Sequence, residues 1–272
     1  MATVIDETAL LGFSRAAFTA QGTTRDVYRL GTGPAVIVVH EIPGITPLVA
    51  AFGRKVAAAG MTAVLPDLFG TPGREPNSAY LLRSMVGACI RREFSALATN
   101  TTSPITQWLR ALALHEHSSC GGPGVGVVGM CLTGGVALGM MVDPVVVAPV
   151  LSQPSTPFPL SKAQRRSLGL SPEDLAVVKA RASEGTCVLG LRFTGDLAVP
   201  VERFDRLRAE LGDAFIGVEI DSSEGNPWGY SKRAHSVLTE DYSDEEGSPT
   251  KQALEQVLGF FAERLGVDRA SD

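Results

Sequence analysis

The run Gly129-Met130-Cys131-Leu132-Thr133-Gly134-Gly135 decides how this chain folds. A short apolar stretch, Val125 to Val128, leads into it, and an apolar pattern with helical spacing, Val136 to Val142, leads out. The order reads as a buried strand, a sharp turn and a helix, the setting of a Gly-x-nucleophile-x-Gly elbow. Such a turn strains the backbone at its central residue. It also demands small neighbours, because side chains two positions to either side would collide with adjoining strands and the following helix. Cys131 stands at the centre. A lone cysteine between strand and helix also serves as a small buried hydrophobe, so the elbow is weighed with its partners.

Outward from the elbow, short β-branched runs alternate with amphipathic segments. Residues 13–19 and 25–30 read as an antiparallel edge hairpin, and 35–40 as a buried strand. Thr46-Pro47 caps a helix whose predicted face is Leu48, Ala51, Phe52 and Val56, stopped by Gly60. Residues 61–65 form the next strand. Helical patterns follow at 78–90 and 103–115, then strands at 125–128 and 145–148. Ser171-Pro172-Glu173-Asp174 starts another helix. Beyond it come a strand at 187–193, a helix at 200–211, a strand at 215–220, a polar loop at 221–247 and a last helix from Ser248-Pro249 to about Leu265. Repeated β-α-β units require right-handed parallel crossovers, so the expected fold class is α/β, a mostly parallel sheet covered by helices on both faces. No repeat or boundary divides residues 1–272, which read as a single domain. The proline-rich excursion 151–170 reads as a lid or substrate-shaping loop.

Composition narrows the function. The 24 lysines and arginines against 29 acids give a net charge of −5. With no long basic run, nucleic acid is not an expected partner. No apolar stretch approaches the ~20 residues of a membrane span. The acidic start lacks the form of a secretion signal, which points to the cytoplasm. Cys89, Cys120, Cys131 and Cys187 are scattered and read as free thiols of a reducing compartment. Oligomeric state is not legible.

A thiol needs a base to ionise it and donors for the oxyanion it creates. In strand–elbow–helix architectures an acid and then a histidine follow the nucleophile, each after a late strand. Thr194-Gly195-Asp196 leaves the end of strand 187–193, and Ala234-His235-Ser236 lies in the loop after 215–220. His235 would accept the thiol proton, and Asp196 would hold the imidazole. Taken singly, Asp196 is also an ordinary turn residue and His235 an ordinary loop histidine. Glu41 follows strand 35–40, and the backbone N–H groups of Ile42 and Leu132 are the expected oxyanion donors. A carboxylate beside a thiol quiets it unless it handles protons.

Together, His40-Glu41-Ile42-Pro43-Gly44-Ile45, Leu65-Pro66-Asp67-Leu68, the Cys131 elbow, Gly195-Asp196…Val199-Pro200 and Ala234-His235-Ser236 resemble the dienelactone hydrolase family over residues 35–265. The resemblance implies an α/β-hydrolase fold, a Cys-Asp-His triad without cofactor, and cleavage of a small-molecule lactone or ester through an acyl-thiol. It also implies that Glu41 takes the thiol proton when substrate displaces it. Known members bind a substrate carboxylate with two arginines, one just after the histidine. Here Ser236-Val237-Leu238-Thr239 follows His235, and Arg92 is the candidate for the other clamp. That departure widens the expected substrate to other esters, lactones and thioesters. It also motivates a second reading, a non-catalytic ligand-binding or sensor protein on the same fold.

Two further patterns are set aside. Gly124-Val125-Gly126-Val127-Val128-Gly129 matches a dinucleotide fingerprint, but it overlaps a strand instead of following one. His115-Glu116-His117 with Cys120 lacks a fourth ligand at a convincing spacing, so no metal is expected.

Overall fold

A computed structural model describes residues 6, 8–77, 80, 84, 103–155 and 161–268. Eight strands form one sheet: β1 Ser14–Ala20, β2 Thr23–Leu30, β3 Ala35–Val39, β4 Thr62–Pro66, β5 Val125–Met130, β6 Val146–Ser152, β7 Val188–Phe193 and β8 Phe215–Ile220. Their spatial order is β1-β2-β4-β3-β5-β6-β7-β8. The pairs β1/β2 and β2/β4 are antiparallel, and every later pair is parallel. The described helices are α1 Pro47–Ala58, α2 Pro104–Cys120, α3 Gly134–Met140, α4 Lys162–Arg166, α5 Pro172–Ser183, α6 Val201–Leu211 and α7 Pro249–Leu265.

Strand side chains alternate between the two faces. Ile37, Val39 and Val127 join α2, α3, α5 and α6 in one core through Leu109, Val136, Val178 and Phe204. Val36, Val38 and Val128 join α1 and α7 in the other through Phe52 and Phe261. Both faces are covered, which is why β3 and β5 are buried throughout. No helix among the described residues is long and apolar enough to cross a membrane.

Several boundaries differ from the pattern reading. Thr46 does cap α1, accepting from the Val49 N–H, but the buried face is Val49, Ala50, Phe52, Gly53 and Val56. Leu48 is 41% exposed. Gly53 turns the helix, since a Cβ there would lie 3.1 Å from Leu65 of β4. The helix predicted at 103–115 runs on to Cys120, and the strand predicted at 145–148 runs on to Ser152. The excursion 151–170 is therefore partly strand and partly α4, and Leu168 and Leu170 belong to the core. Of the helix predicted at 78–90 only residues 80 and 84 are described, both helical, and Arg92 lies outside the described residues.

Parallel pairing carries the strand ends to one edge. Val39 lies opposite Gly129, Met130 opposite Ser152, and Ser152 opposite Leu191. The residues just beyond β3, β5, β6 and β7 are thus gathered where the strand order reverses, the usual place for a ligand crevice in open sheets.

Candidate active site

Cys131 directly follows β5 with φ +56°, a left-handed conformation for a residue with a side chain. Such a residue costs roughly 1–3 kcal/mol and persists only where its surroundings impose it. Here a 3-10 turn, Cys131–Thr133, follows at once and α3 begins at Gly134. A Cβ on Gly129 would lie 2.2 Å from the Thr133 carbonyl oxygen, and one on Gly134 2.5 Å from Pro154. Both glycines are therefore obligatory. The expectation of small residues two positions to either side needs correction at Thr133. Its buried hydroxyl donates to the Val39 carbonyl at 2.8 Å and accepts from the Met130 N–H at 2.9 Å. A hydroxyl is useful there because it pins the turn to β3.

His235 Nδ1 lies 2.6 Å from Asp196 Oδ2. Asp196 is buried, and its other oxygen accepts from the Ala198 N–H at 2.9 Å. The backbone N–H groups of His235 and Ser236 donate to Asp241 Oδ2 at 2.7 and 3.0 Å. Asp241 therefore holds the loop that carries the imidazole. Burial alone would push the His235 imidazolium down. The charge of the Cys131 sulfur and the Asp196 hydrogen bond outweigh it and raise His235 to about 11.

The Cys131 sulfur also lies 3.2 Å from Ser155 Oγ. Glu41 is elsewhere engaged. Its carboxylate accepts from Gln153 Nε2 at 3.0 Å, Ser236 Oγ at 2.8 Å and Thr239 Oγ1. These bonds tie the end of β3 to the His235 loop. The N–H of Ile42 has no protein acceptor among the described residues, and that of Leu132 lies in the first turn of a helix, where N–H groups are free of intrahelical partners. Ser155, Gln153, Thr239 and Asp241 carry no motif of their own. The signal for Ser155 and Gln153 was their place just past a strand's carboxyl end.

Glu116, within the set-aside His-Glu-His run, is buried in an ion pair with Arg29. Among the described residues no group of three or more His, Cys, Asp or Glu side chains is placed to hold a metal. A groove of about 840 Å³ is lined by Asp196, Leu197, Ala198, Ser222, Lys232 and Arg233. Neither Cys131 nor His235 lines it, so it adjoins the site without containing it.

His40 sits beneath these groups, fully buried. Its Nε2 must accept from the Leu68 N–H at 3.2 Å, because a backbone N–H only donates. Nδ1 then donates to the Glu41 carbonyl at 3.0 Å. Burial lowers its pKa from 6.5 to about 4. A depressed base stabilises the fold above its unfolded pKa and loses that stability as pH falls through the folded value. Acidification from pH 7 to 5 should thus cost wild type about 2 kcal/mol more than a His40→Gln variant. Urea unfolding midpoints at the two pH values check this; equal losses in both proteins remove His40 as the cause.

The sequence profile of the dienelactone hydrolase family matches residues 23–265. The chain belongs to the dienelactone hydrolase family. Its structure superposes on a dienelactone hydrolase from Anabaena variabilis ATCC 29413 with a TM-score of 0.59 at 16% identity, covering 93% of this chain and 98% of the other. A protein of Klebsiella pneumoniae subsp. pneumoniae MGH 78578, provisionally named a dienelactone hydrolase, gives a TM-score of 0.64 at 18% identity over 92% and 98% of the two chains. At such identities the likeness establishes the fold, an α/β-hydrolase fold. A provisionally named hydrolase fragment of Escherichia coli (strain K12), YghX, is 42% identical over 48 residues, 18% of this chain and 41% of that protein, so the match spans under half of that relative. The dienelactone hydrolase family is one of hydrolases. In the stretch after His235, Ser236 and Thr239 both donate to Glu41.

Proposed function

We propose that this protein hydrolyses a carboxylic ester or lactone through an acyl-thiol intermediate on Cys131. The observation that carries the reading is the strained Cys131 at the elbow, together with a histidine whose Nδ1 lies 2.6 Å from the buried Asp196 carboxylate and whose proton is held by the charge of the Cys131 sulfur. His235 takes the thiol proton, and the sulfur adds to the substrate carbonyl. The N–H groups of Ile42 and Leu132 receive the oxyanion. The carbon–oxygen bond to the leaving group breaks, and His235 returns its proton to that oxygen. Water then gives a proton to His235 and adds to the thioester. Collapse breaks the carbon–sulfur bond and releases the acid.

Asp196 orients the imidazole and offsets its charge. Glu41, bound by three neutral donors, holds the His235 loop against β3 and does not receive the thiol proton in this scheme. The stretch Ser236-Val237-Leu238-Thr239 brings no cation, which supports an ester or lactone without a carboxylate at that side.

The test is trapping. Brief reaction with 4-nitrophenyl acetate should give a burst of nitrophenolate and an acetyl group on the Cys131 peptide by mass spectrometry. A panel of esters and lactones that bind but never turn over, with no acyl group on Cys131, would instead favour the non-catalytic binding protein.

A further inference from the structure

The segment after β6 is built with unusual care. Its first residue, Gln153, adopts φ +36°, a left-handed conformation that a glutamine rarely takes. Three contacts impose it. The Gln153 N–H donates to the Leu191 carbonyl at 2.8 Å, its side-chain amide donates to Glu41 at 3.0 Å, and its side-chain oxygen accepts from the Val237 N–H at 3.4 Å. Pro154 then packs where Gly134 has no side chain. The result is that Ser155 returns to the elbow. Its N–H donates to the Cys131 carbonyl at 3.0 Å, and its hydroxyl, itself buried, reaches the sulfur at 3.2 Å. Strain of this kind, held by surrounding structure, gathers at functional sites.

We propose that Ser155 is a catalytic residue whose hydroxyl donates a hydrogen bond to the Cys131 sulfur whenever that sulfur carries negative charge. The inference rests on Cys131 being the nucleophile. An ionised sulfur has no proton, so the hydroxyl is the donor. When the sulfur adds to the carbonyl, its electron pair forms the carbon–sulfur bond, the π pair and the negative charge move to the carbonyl oxygen, and the Ser155 bond to the now neutral sulfur weakens. When water has added to the thioester, collapse breaks the carbon–sulfur bond and returns the electron pair to sulfur, and the Ser155 bond forms again. The hydroxyl therefore tempers the attacking sulfur and assists its departure. Its loss slows deacylation more than acylation.

Two measurements test this in Ser155→Ala, Ser155→Gly and Ser155→Thr, each checked for folding by circular dichroism. The first follows alkylation of the Cys131 peptide by iodoacetamide against pH, by mass spectrometry so that the other cysteines do not intrude. The second follows the burst and steady state with 4-nitrophenyl acetate. The alanine and glycine variants should move the alkylation midpoint up by about one pH unit and slow deacylation about tenfold, so that acyl-enzyme accumulates. Threonine, which keeps the hydroxyl, should restore both. A midpoint that stays in place, or deacylation that stays at the wild-type rate, overturns the proposal. Alkylation needs no turnover, so it reports on the Ser155–sulfur bond even if Cys131→Ala remains active, a result that would instead remove Cys131 as nucleophile.

Discussion

Cys131→Ala should lower kcat/KM for an activated ester by roughly ten-thousand- to a million-fold, the loss seen when the attacking atom of a triad is removed. The residual rate is that of the oxyanion donors and binding alone. The secondary structure should be unchanged, because alanine leaves the strand, the turn and α3 intact. Activity within tenfold of wild type would exclude a covalent role for Cys131. The same position carries a stability signature. With φ +56°, Cys131 sits where glycine is unstrained and alanine is not. Cys131→Gly should therefore be more stable than Cys131→Ala by about 1 kcal/mol, the reverse of their order inside a helix or strand. Urea unfolding of the two variants decides it. An alanine variant equal to or better than glycine would mean that the elbow is not held under strain.

Asp196→Asn should reduce kcat/KM by roughly a thousand- to ten-thousand-fold while leaving the fold in place, because an amide can present its N–H to the imidazole and select the wrong tautomer. The pH dependence adds a second readout. His235 is raised to about 11 despite its burial, with Asp196 among the causes. A raised group keeps its proton below its folded pKa, so the imidazolium persists through neutrality and is lost only as pH climbs toward 11. Wild-type acylation should then show no inflection near 6.5, where a free imidazole titrates. In Asp196→Asn one raising contact is gone, and the alkaline limb should move toward neutral pH. Single-turnover acylation by 4-nitrophenyl acetate across pH measures both. A wild-type inflection near 6.5 would show that His235 titrates as a free imidazole.

The sequence by itself determined the pieces that depend on near neighbours. The apolar runs at 35–40 and 125–128, the Ser and Thr caps before proline, and the glycines around Cys131 act within a few residues, so they are legible without a fold. The chain order Cys131, Asp196, His235 and the place of each after a strand are legible for the same reason. The tertiary structure decided what meets what across the edge of the sheet. Parallel register sets Met130 opposite Ser152, and the turn held at Gln153 and Pro154 then delivers Ser155 to the sulfur. The partners of Glu41 lie 112, 195 and 198 residues away along the chain. No local pattern marks them, because a buried carboxylate is satisfied by whichever hydroxyls and amides the packed loops present. Leu48 and Phe52 make the same point at small scale. Both fit an apolar stripe, but close approach of Gly53 to β4 rotates α1, burying one and exposing the other.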